Sequence, residues 1–239
     1  MDAFPIAGGG LCAGAAFLAW AVRGRSAAVF GKSVWRGSTG RRSVALTFDD
    51  GPSESTPAIL DLLAQHRVPA TFFQVGANVD RLPEVARAVA AAGHAIGNHS
   101  YAHPLFCFRS PAFIEADLRR AQQTIRANTG IEPEWFRAPY GVRWFGMGRA
   151  QRRLSLTGVM WSAIGRDWKL NSGQVFRRLT NGAANGASNG AILCLHDGRG
   201  LQSRPDITVT VEAVRRLLPA LLEQGYRFET VSQLLCPMS

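Results

Sequence analysis

Hydrophobic and polar positions change their period repeatedly along the chain after Ser43. Short runs rich in β-branched and aromatic residues alternate with segments in which apolar residues recur every three or four positions. The first pattern predicts buried strands and the second predicts amphipathic helices. Strands are predicted over residues 44–48, 70–75, 94–98, 135–137, 158–163, 191–195 and 227–230. Helices are predicted over residues 56–66, 83–92, 111–128, 174–184 and 208–223.

This alternation is typical of an α/β protein built around a mainly parallel sheet. About seven strand and helix units suit either an irregular (β/α) barrel or an open doubly wound sheet. No G-x-G-x-x-G motif follows the first predicted strand. Its absence argues against the dinucleotide-binding version of the open sheet.

The N-terminal run Ala3–Val22 contains no charged residue. A helix of that length would cross the hydrocarbon core of a bilayer, which is about 30 Å thick. We therefore predict a membrane anchor over residues 1–22, a basic linker over 23–42 and a main domain over 43–239. Its glycines and alanines make the run only moderately hydrophobic, so an interfacial or buried helix is an alternative. A cleaved signal peptide is disfavoured because no basic region precedes the run.

Basic residues follow the predicted anchor and bear on its orientation. Arg23, Arg25, Lys32 and Arg36 all lie on its C-terminal side. The positive-inside rule then favours a main domain on the cytoplasmic face of the membrane.

The chain is strongly basic, with 27 Lys and Arg against 17 Asp and Glu and a formal net charge of +10. Such a charge suits an acidic partner or simply forms a solvated basic surface. Nucleic acid is disfavoured as the partner because the arginines are scattered and no helix-turn-helix signature is present. The four cysteines are far apart and lack a C-x-x-C pair, which excludes a sequence-evident zinc site or disulfide framework.

Polar residues that could take part in catalysis or metal binding collect just after the predicted strands. In a barrel of parallel strands these positions converge on the C-terminal face, where such folds carry their active sites. The set comprises Asp49, Asp50, His99, His103, Arg137, Asp167, His196 and Asp197. His66 and His94 lie elsewhere and are interpreted as structural residues.

The spacing of His99 and His103 would place both imidazoles on one helical turn, close enough to share a metal ion. Two imidazoles and one carboxylate leave a tetrahedral zinc with an open position for water, as in catalytic sites. One of the adjacent carboxylates, Asp49 and Asp50, can then bind the metal while the other takes a proton from the water. The alternative for this Asp-Asp-Gly-Pro stretch is a helix cap followed by a turn.

Five stretches in order resemble the motifs of the polysaccharide deacetylases of carbohydrate esterase family four, which include chitin, peptidoglycan and chitooligosaccharide deacetylases. The resemblance covers roughly residues 43–231 and implies a distorted (β/α) barrel of about seven parallel strands with its active site at their C-terminal face. The five stretches are TFDDGP (47–52), HSYAHP (99–104), RAPYG (137–141), RDW (166–168) and LHD (195–197).

The resemblance implies a role for each matching residue. Asp50, His99 and His103 would bind a divalent metal, usually Zn²⁺, with Co²⁺, Mn²⁺ and Ni²⁺ as alternatives. Asp49 would be the general base, paired with Arg137, which keeps the carboxylate ionised.

The remaining roles implied by the resemblance concern the leaving group and the substrate. His196 would be the general acid that protonates the leaving amine, stabilised by Asp167. Tyr140 would donate its backbone N–H to the oxyanion, and Trp168 would form a wall for the sugar ring. Cys194 occupies a position in the acetyl pocket where the family usually has an aliphatic residue.

A second departure from the family pattern is Ile164, which lies three residues before Asp167 where relatives often carry another aspartate. We expect little effect of this difference on the central chemistry.

The sequence thus predicts a metal-dependent hydrolase that removes N-acetyl groups from an N-acetylhexosamine glycan of peptidoglycan or chitooligosaccharide type. The alternative is an amidohydrolase or deformylase acting on a lipid-linked or small sugar amide. A non-catalytic glycan-binding module is disfavoured because every implied metal and acid–base residue is present. The expected partners are this glycan and, through residues 3–22, a membrane. A wall glycan would place the domain in the cell envelope, whereas the flanking charges favour the cytoplasmic face.

Overall fold

Parallel strands form the centre of the protein. The structure is a computed structural model, and it describes residues 6–181 and 187–236. Within these ranges nine strands form one sheet, in the order β1-β6-β5-β4-β3-β2-β8-β7, with β9 also pairing with β2. The strands are β1 (Ser33–Val34), β2 (Ser43–Asp49), β3 (Thr71–Gln74), β4 (Ala95–Asn98), β5 (Trp135–Phe136), β6 (Thr157–Val159), β7 (Ala163–Ile164), β8 (Ala191–His196) and β9 (Arg227–Phe228).

Every pairing between these strands is parallel. Strands β1 and β7 stand at the two ends of the order and do not pair with each other, so strand pairing leaves the barrel open. This confirms the predicted α/β class and the distorted (β/α) barrel.

Helices surround the sheet and connect its strands. They are α1 (Ile6–Arg23), α2 (Thr56–His66), α3 (Gly76–Arg81), α4 (Pro83–Ala91), α5 (Pro111–Thr129), α6 (Met147–Leu154), α7 (Ser172–Thr180), α8 (Thr208–Glu223) and α9 (Val231–Leu235), with a short 3₁₀ turn at Pro139–Gly141.

Strand β2 shows how the sequence orients the site. Its alternate residues Val44, Leu46 and Phe48 belong to the large apolar core shared with helices α2, α7 and α8. Because side chains alternate between the two faces of a strand, Thr47 and Asp49 point the other way, into the barrel. All seven residues of β2 are buried. The alternation therefore carries a carboxylate into the interior at the C-terminal end of the strand.

The predicted strand 158–163 is divided in the structure, and the reason is the opening of the barrel. Strand β6 ends at Val159 and β7 begins at Ala163. Between them the Met160 N–H donates to Val34 in β1 and the Ser162 N–H donates to Ile192 in β8, at 2.7 and 3.0 Å. The chain thus crosses from one edge of the sheet to the other.

Other boundaries also differ from the sequence prediction. The predicted helix 174–184 is the helix α7, which ends at Thr180, and residues 182–186 lie outside the described residues. Strand β9 is two residues long rather than the predicted four. The short elements β1, α3, α6 and α9 have eight residues or fewer and lie outside the predicted elements.

The N-terminal segment contacts the barrel. Ala21 and Val22 at the end of α1 are buried, and β1 pairs with β6. The buried Arg143 side chain donates to the carbonyl oxygens of Gly24 and Ala27. In the described part of the chain no helix combines the length and apolar character that a membrane span requires. Residues 1–5 of the predicted anchor lie outside the described residues.

Candidate active site

The two adjacent aspartates at the end of β2 point to different partners. Asp49 is the last residue of the strand and continues its alternation of side chains. Asp50 adopts φ 74°, in the left-handed region, so its side chain no longer follows that alternation. Arg137 Nη1 lies 2.6 Å from Asp49 Oδ1. Asp50 Oδ1 instead lies 2.9 Å from His103 Nε2 and 3.3 Å from His99 Nε2. Neither carboxylate caps helix α2, so the cap-and-turn alternative is excluded.

Asp50, His99 and His103 form a set of ligands suited to a divalent metal. One potential ligand atom from each residue lies within 4.8 Å of the others. His99 Nδ1 lies 2.7 Å from the carbonyl oxygen of Arg137, to which it donates, so that Nε2 keeps its lone pair for a metal. This donor set, with one fixed tautomer, fits the predicted metal.

The loop that carries the two histidines is not the predicted helical turn. Ser100 and His103 have φ values of 67° and 50°, outside the right-handed helical region. Asp117 in α5 holds the loop by accepting hydrogen bonds from the N–H groups of Tyr101 and Ala102 at 2.9 and 3.1 Å. The imidazole rings still approach to 5.1 Å between centroids. The four-residue spacing of His99 and His103 therefore brings the two rings together through a loop rather than through a helical turn.

Burial and hydrogen bonding act in opposite directions on Asp50. Burial alone would raise the pKa of this carboxyl, but its contacts with His103 and His99 outweigh the burial and hold the pKa well below its ordinary value. Asp50 is therefore a carboxylate, which is the form that binds a metal.

Arg137 is completely buried and has a partner for each part of its guanidinium. Besides Asp49, it donates to Thr47 Oγ1 at 2.8 Å and to the Val159 carbonyl at 3.1 Å, and it lies 4.1 Å from the Phe73 ring centroid. These contacts fix Asp49 Oδ1, and Asp49 Oδ2 lies 3.5 Å from Cys194 Sγ.

A histidine–carboxylate pair lies at the end of β8, next to Asp49. His196 Nδ1 lies 2.9 Å from Asp167 Oδ1. Asp167 Oδ2 accepts hydrogen bonds from the backbone N–H of His196 at 3.0 Å and from Thr210 Oγ1 at 2.6 Å. Burial alone would lower the pKa of His196, but the charge of Asp167 and its hydrogen bond raise it to about 9. The ring is thus cationic at neutral pH and can donate a proton from Nε2.

A cavity of about 940 Å³ is lined by both the metal-ligand set and His196. Tyr140 and Trp168 lie at its mouth and are 57% and 50% exposed. The Tyr140 ring packs on His103 at 4.8 Å and the Trp168 ring packs edge-on to His196 at 4.9 Å between centroids. Each aromatic ring therefore both contacts a predicted catalytic or metal-binding histidine and lines the cavity.

The structure brings nearly every predicted site residue to this cavity. Asp49, Asp50, His99, His103, Tyr140, Trp168 and His196 line it, while Arg137, Asp167 and Cys194 lie directly behind. The individual catalytic roles stay predictions.

Asp197 has a different place, although its sequence position matched the others. Its carboxyl is buried and accepts from Thr56 Oγ1 at 2.7 Å in helix α2. Burial raises its pKa to about 7. Asp197 thus connects β8 to the start of α2 and does not line the cavity.

Sequence reasoning missed several supporting residues. Thr210 in α8 and Asp117 in α5 orient the predicted groups, yet both lie in helices that carry no motif. Arg23 and Arg25, which belong to the N-terminal segment, line the cavity. A basic cluster after the apolar run was the available signal, and it was interpreted as a determinant of membrane orientation.

Comparisons with known proteins agree with this architecture. Residues 36–159 match the sequence model for polysaccharide deacetylases. The chain is 37% identical over 204 residues to a chitooligosaccharide deacetylase of Bradyrhizobium sp. (strain ANU 289), covering 82% of this chain and 92% of that protein. It is 36% identical over 208 residues to a peptidoglycan-N-acetylglucosamine deacetylase of Bacillus cereus, covering 86% and 93%. The crystal structure of the Bc1960 peptidoglycan N-acetylglucosamine deacetylase superposes with a TM-score of 0.78 at 28% identity, covering 85% of this chain and 92% of that one.

Proposed function

The chain belongs to the polysaccharide deacetylase family, and from this premise we propose that it removes N-acetyl groups from an N-acetylhexosamine glycan with the help of a divalent metal. It is a hydrolase of carbon–nitrogen bonds other than peptide bonds. The observation that carries the proposal is the convergence on one cavity of a metal-ligand set, a buried carboxylate base and a cationic histidine.

Asp50, His99 and His103 would hold the metal, which we propose to be Zn²⁺. When bound there, the metal would polarise the acyl carbonyl and lower the pKa of a water molecule to about 7. The protein's own contribution at this point is orientation. The Arg137 carbonyl fixes the tautomer of His99, and the Asp117 carboxylate fixes the loop that carries His103.

Asp49 is the proposed general base. Its Oδ1 is held by Arg137 at 2.6 Å, which leaves Oδ2 to accept a proton from the attacking water. The backbone N–H of Tyr140 is the proposed donor to the oxyanion that develops on the acyl oxygen.

His196 is the proposed general acid. Amines are poor leaving groups unless they are protonated, and the cationic His196 ring can supply that proton from Nε2 because Asp167 holds Nδ1. A side chain with its pKa raised to about 9 carries this proton over the whole physiological range.

The charge of the cavity wall supports an acidic glycan as the preferred substrate. Apart from Asp49, Asp50 and the cationic His196, the charged lining residues in the described part of the chain are the arginines Arg23, Arg25, Arg166 and Arg199. Arg25 is held at the rim by a hydrogen bond to the Ser162 carbonyl and by the Trp35 ring, 5.9 Å away. Guanidinium groups pair with carboxylates, so a peptidoglycan-type chain with carboxylates suits this wall better than a neutral chitooligosaccharide.

The test is a substrate panel with the purified full chain loaded with Zn²⁺. We expect acetate to be released from both neutral and acidic N-acetylated oligosaccharides, with a higher kcat/KM for the acidic ones that declines as salt is added. The Asp49→Asn variant is the inactive control. Formate release from a formylated sugar, without acetate release from any glycan, would instead support the deformylase alternative.

A matched pair of arginine variants tests the acidic preference separately. Arg166→Gln removes a charge from the cavity wall, whereas Arg215→Gln removes an exposed charge from the outer helix α8. The ratio of kcat/KM values for acidic and neutral substrates should fall with the first variant and stay unchanged with the second. Equal ratios in both variants would remove the acidic preference from the proposal and leave the deacetylase activity itself untouched.

A further inference from the structure

A second group of potential metal ligands lies beside the first. Asp49, Cys194 and His196 each offer a ligand atom, and these atoms lie within 4.8 Å of one another. The group shares no residue with Asp50, His99 and His103. We propose that Asp49, Cys194 and His196 form an inhibitory Zn²⁺ site, occupied when Zn²⁺ exceeds the amount needed for the first set.

The distance between the sulfur and the carboxylate oxygen suits a tetrahedral zinc ion. With Zn–S of about 2.3 Å, Zn–O of about 2.0 Å and a tetrahedral angle, a sulfur and an oxygen on one zinc ion lie about 3.5 Å apart. Cys194 Sγ and Asp49 Oδ2 are separated by 3.5 Å in the protein. The pair therefore already has the separation that zinc coordination requires.

The carboxylate and imidazole ligand atoms are also the ones that other contacts leave available. Asp49 Oδ1 is engaged by Arg137, and His196 Nδ1 is engaged by Asp167, so Asp49 Oδ2 and His196 Nε2 remain for a ligand. A carboxylate on the far nitrogen is the usual support of a zinc-bound histidine, since it fixes the ring and increases its basicity. Asp167 provides that support here.

Cysteine is the residue that makes this group selective for a soft cation. Burial raises the pKa of the Cys194 thiol well above its ordinary value, so the sulfur is protonated when no metal is present. A coordinated thiol loses its proton. Binding of Zn²⁺ therefore forms a Zn–S bond and releases the thiol proton to solvent, together with the Nε2 proton of His196 where that ring is cationic. Thiolate and carboxylate then neutralise the two charges of the ion.

Occupation of this site would stop catalysis for a simple reason. The ion would take the Asp49 oxygen proposed to accept a proton and the His196 nitrogen proposed to donate one. This consequence depends on the proposed function, whereas binding of the metal does not, so the two can be tested apart.

The decisive experiment is a Co²⁺ titration of the metal-free full chain, followed by absorption spectroscopy. Cobalt bound to Asp50, His99 and His103 has no sulfur ligand, whereas cobalt at the second group acquires a thiolate-to-metal charge-transfer band in the near ultraviolet. We expect that band to develop beyond the first equivalent of metal. It should be absent in Cys194→Ser and retained in Cys236→Ser, which changes an exposed thiol.

Asp50→Ala gives a further check, because it removes a ligand of the first site and leaves the second group complete. This variant should still develop the band. No band in the wild-type chain, or a band that persists in both Cys194→Ser and Cys194→Ala, would overturn the proposal whether or not any glycan is deacetylated.

Inhibition by zinc provides the functional measurement. Rates are compared with each variant's own maximum across a Zn²⁺ series. The inhibitory Zn²⁺ concentration should rise about tenfold to hundredfold in Cys194→Ser, on the scale of changes to a metal's ligand environment. The same inhibitory concentration in Cys194→Ser and the wild-type chain would contradict the assignment.

Discussion

His99 and His196 are the same side chain in equivalent places, one just after β4 and one at the end of β8, and both line one cavity. In each ring Nδ1 is hydrogen-bonded to an oxygen, at 2.7 Å for His99 and 2.9 Å for His196. The difference lies in the charge of that oxygen. His99 faces the neutral carbonyl of Arg137, whereas His196 faces the Asp167 carboxylate.

This difference in partner separates two chemical tasks. A neutral acceptor orients the His99 ring and leaves Nε2 suited to a metal. A carboxylate acceptor also stabilises the cation, and the pKa of His196 rises to about 9. The metal-ligand side and the proton-donor side of the site are therefore distinguished by what lies behind each ring rather than by the ring itself.

The largest effect is expected from Asp50→Ala, which damages the metal-ligand side alone. The variant should bind the first metal equivalent weakly and lose about 10⁴-fold or more in kcat/KM, because several kcal/mol of Lewis-acid stabilisation disappear. Equilibrium dialysis at one equivalent of Zn²⁺ measures the metal, and acetate release measures the rate. Normal metal retention in this variant would move the site away from Asp50.

The next largest effect is expected from Asp49→Asn, which keeps the metal ligands intact. The amide is nearly isosteric but cannot accept the proton of the attacking water, so kcat should fall about 10²- to 10⁴-fold. Metal content should stay at the wild-type level at one equivalent, and added metal should not restore the rate. Loss of metal from Asp49→Asn with retention in Asp50→Ala would exchange the roles of the two aspartates.

Asp167→Asn tests the charge that distinguishes His196 from His99. Because the pKa of His196 is raised, the acid form is present at lower pH and is lost as pH rises through about 9. Removing the carboxylate should lower that pKa and move the basic limb of the rate profile to lower pH, with a fall in kcat rather than a change in KM. Asp61→Asn, at an exposed position of α2, is the control that should leave the limb in place. An unchanged limb in Asp167→Asn would mean that His196 is not the acid observed.

The smallest effect is expected from Thr210→Val, which removes one hydrogen bond to Asp167 and keeps its charge. Hydrogen bonds to charged groups contribute about 1.5–3 kcal/mol to stability, so Tm should fall measurably. The basic limb should move in the same direction as in Asp167→Asn but by less. Thr208→Val, at an exposed position of the same helix, should leave the basic limb in place. A larger pH shift for Thr210→Val than for Asp167→Asn would show that orientation, rather than charge, controls His196.

Local pattern by itself determined most of the framework of this protein. The alternation in β2 placed Thr47 and Asp49 on the inward face, and the polar residues after successive strands predicted one site at their C-terminal ends. Five short motifs, each of three to six consecutive residues, carried the resemblance to the family. These features are local because strand period and turn chemistry depend on neighbours in the chain.

Tertiary structure alone decided which partner each polar group meets. The separation of Asp49 from Asp50 depends on a positive φ at Asp50 and on Arg137, 88 residues away from Asp49. The support of Asp167 by Thr210 spans 43 residues. The division of the predicted strand 158–163 follows from where the barrel stays open. Contacts between distant segments leave no period or spacing in the sequence, so the charge behind each histidine became visible only once the barrel had brought those segments together.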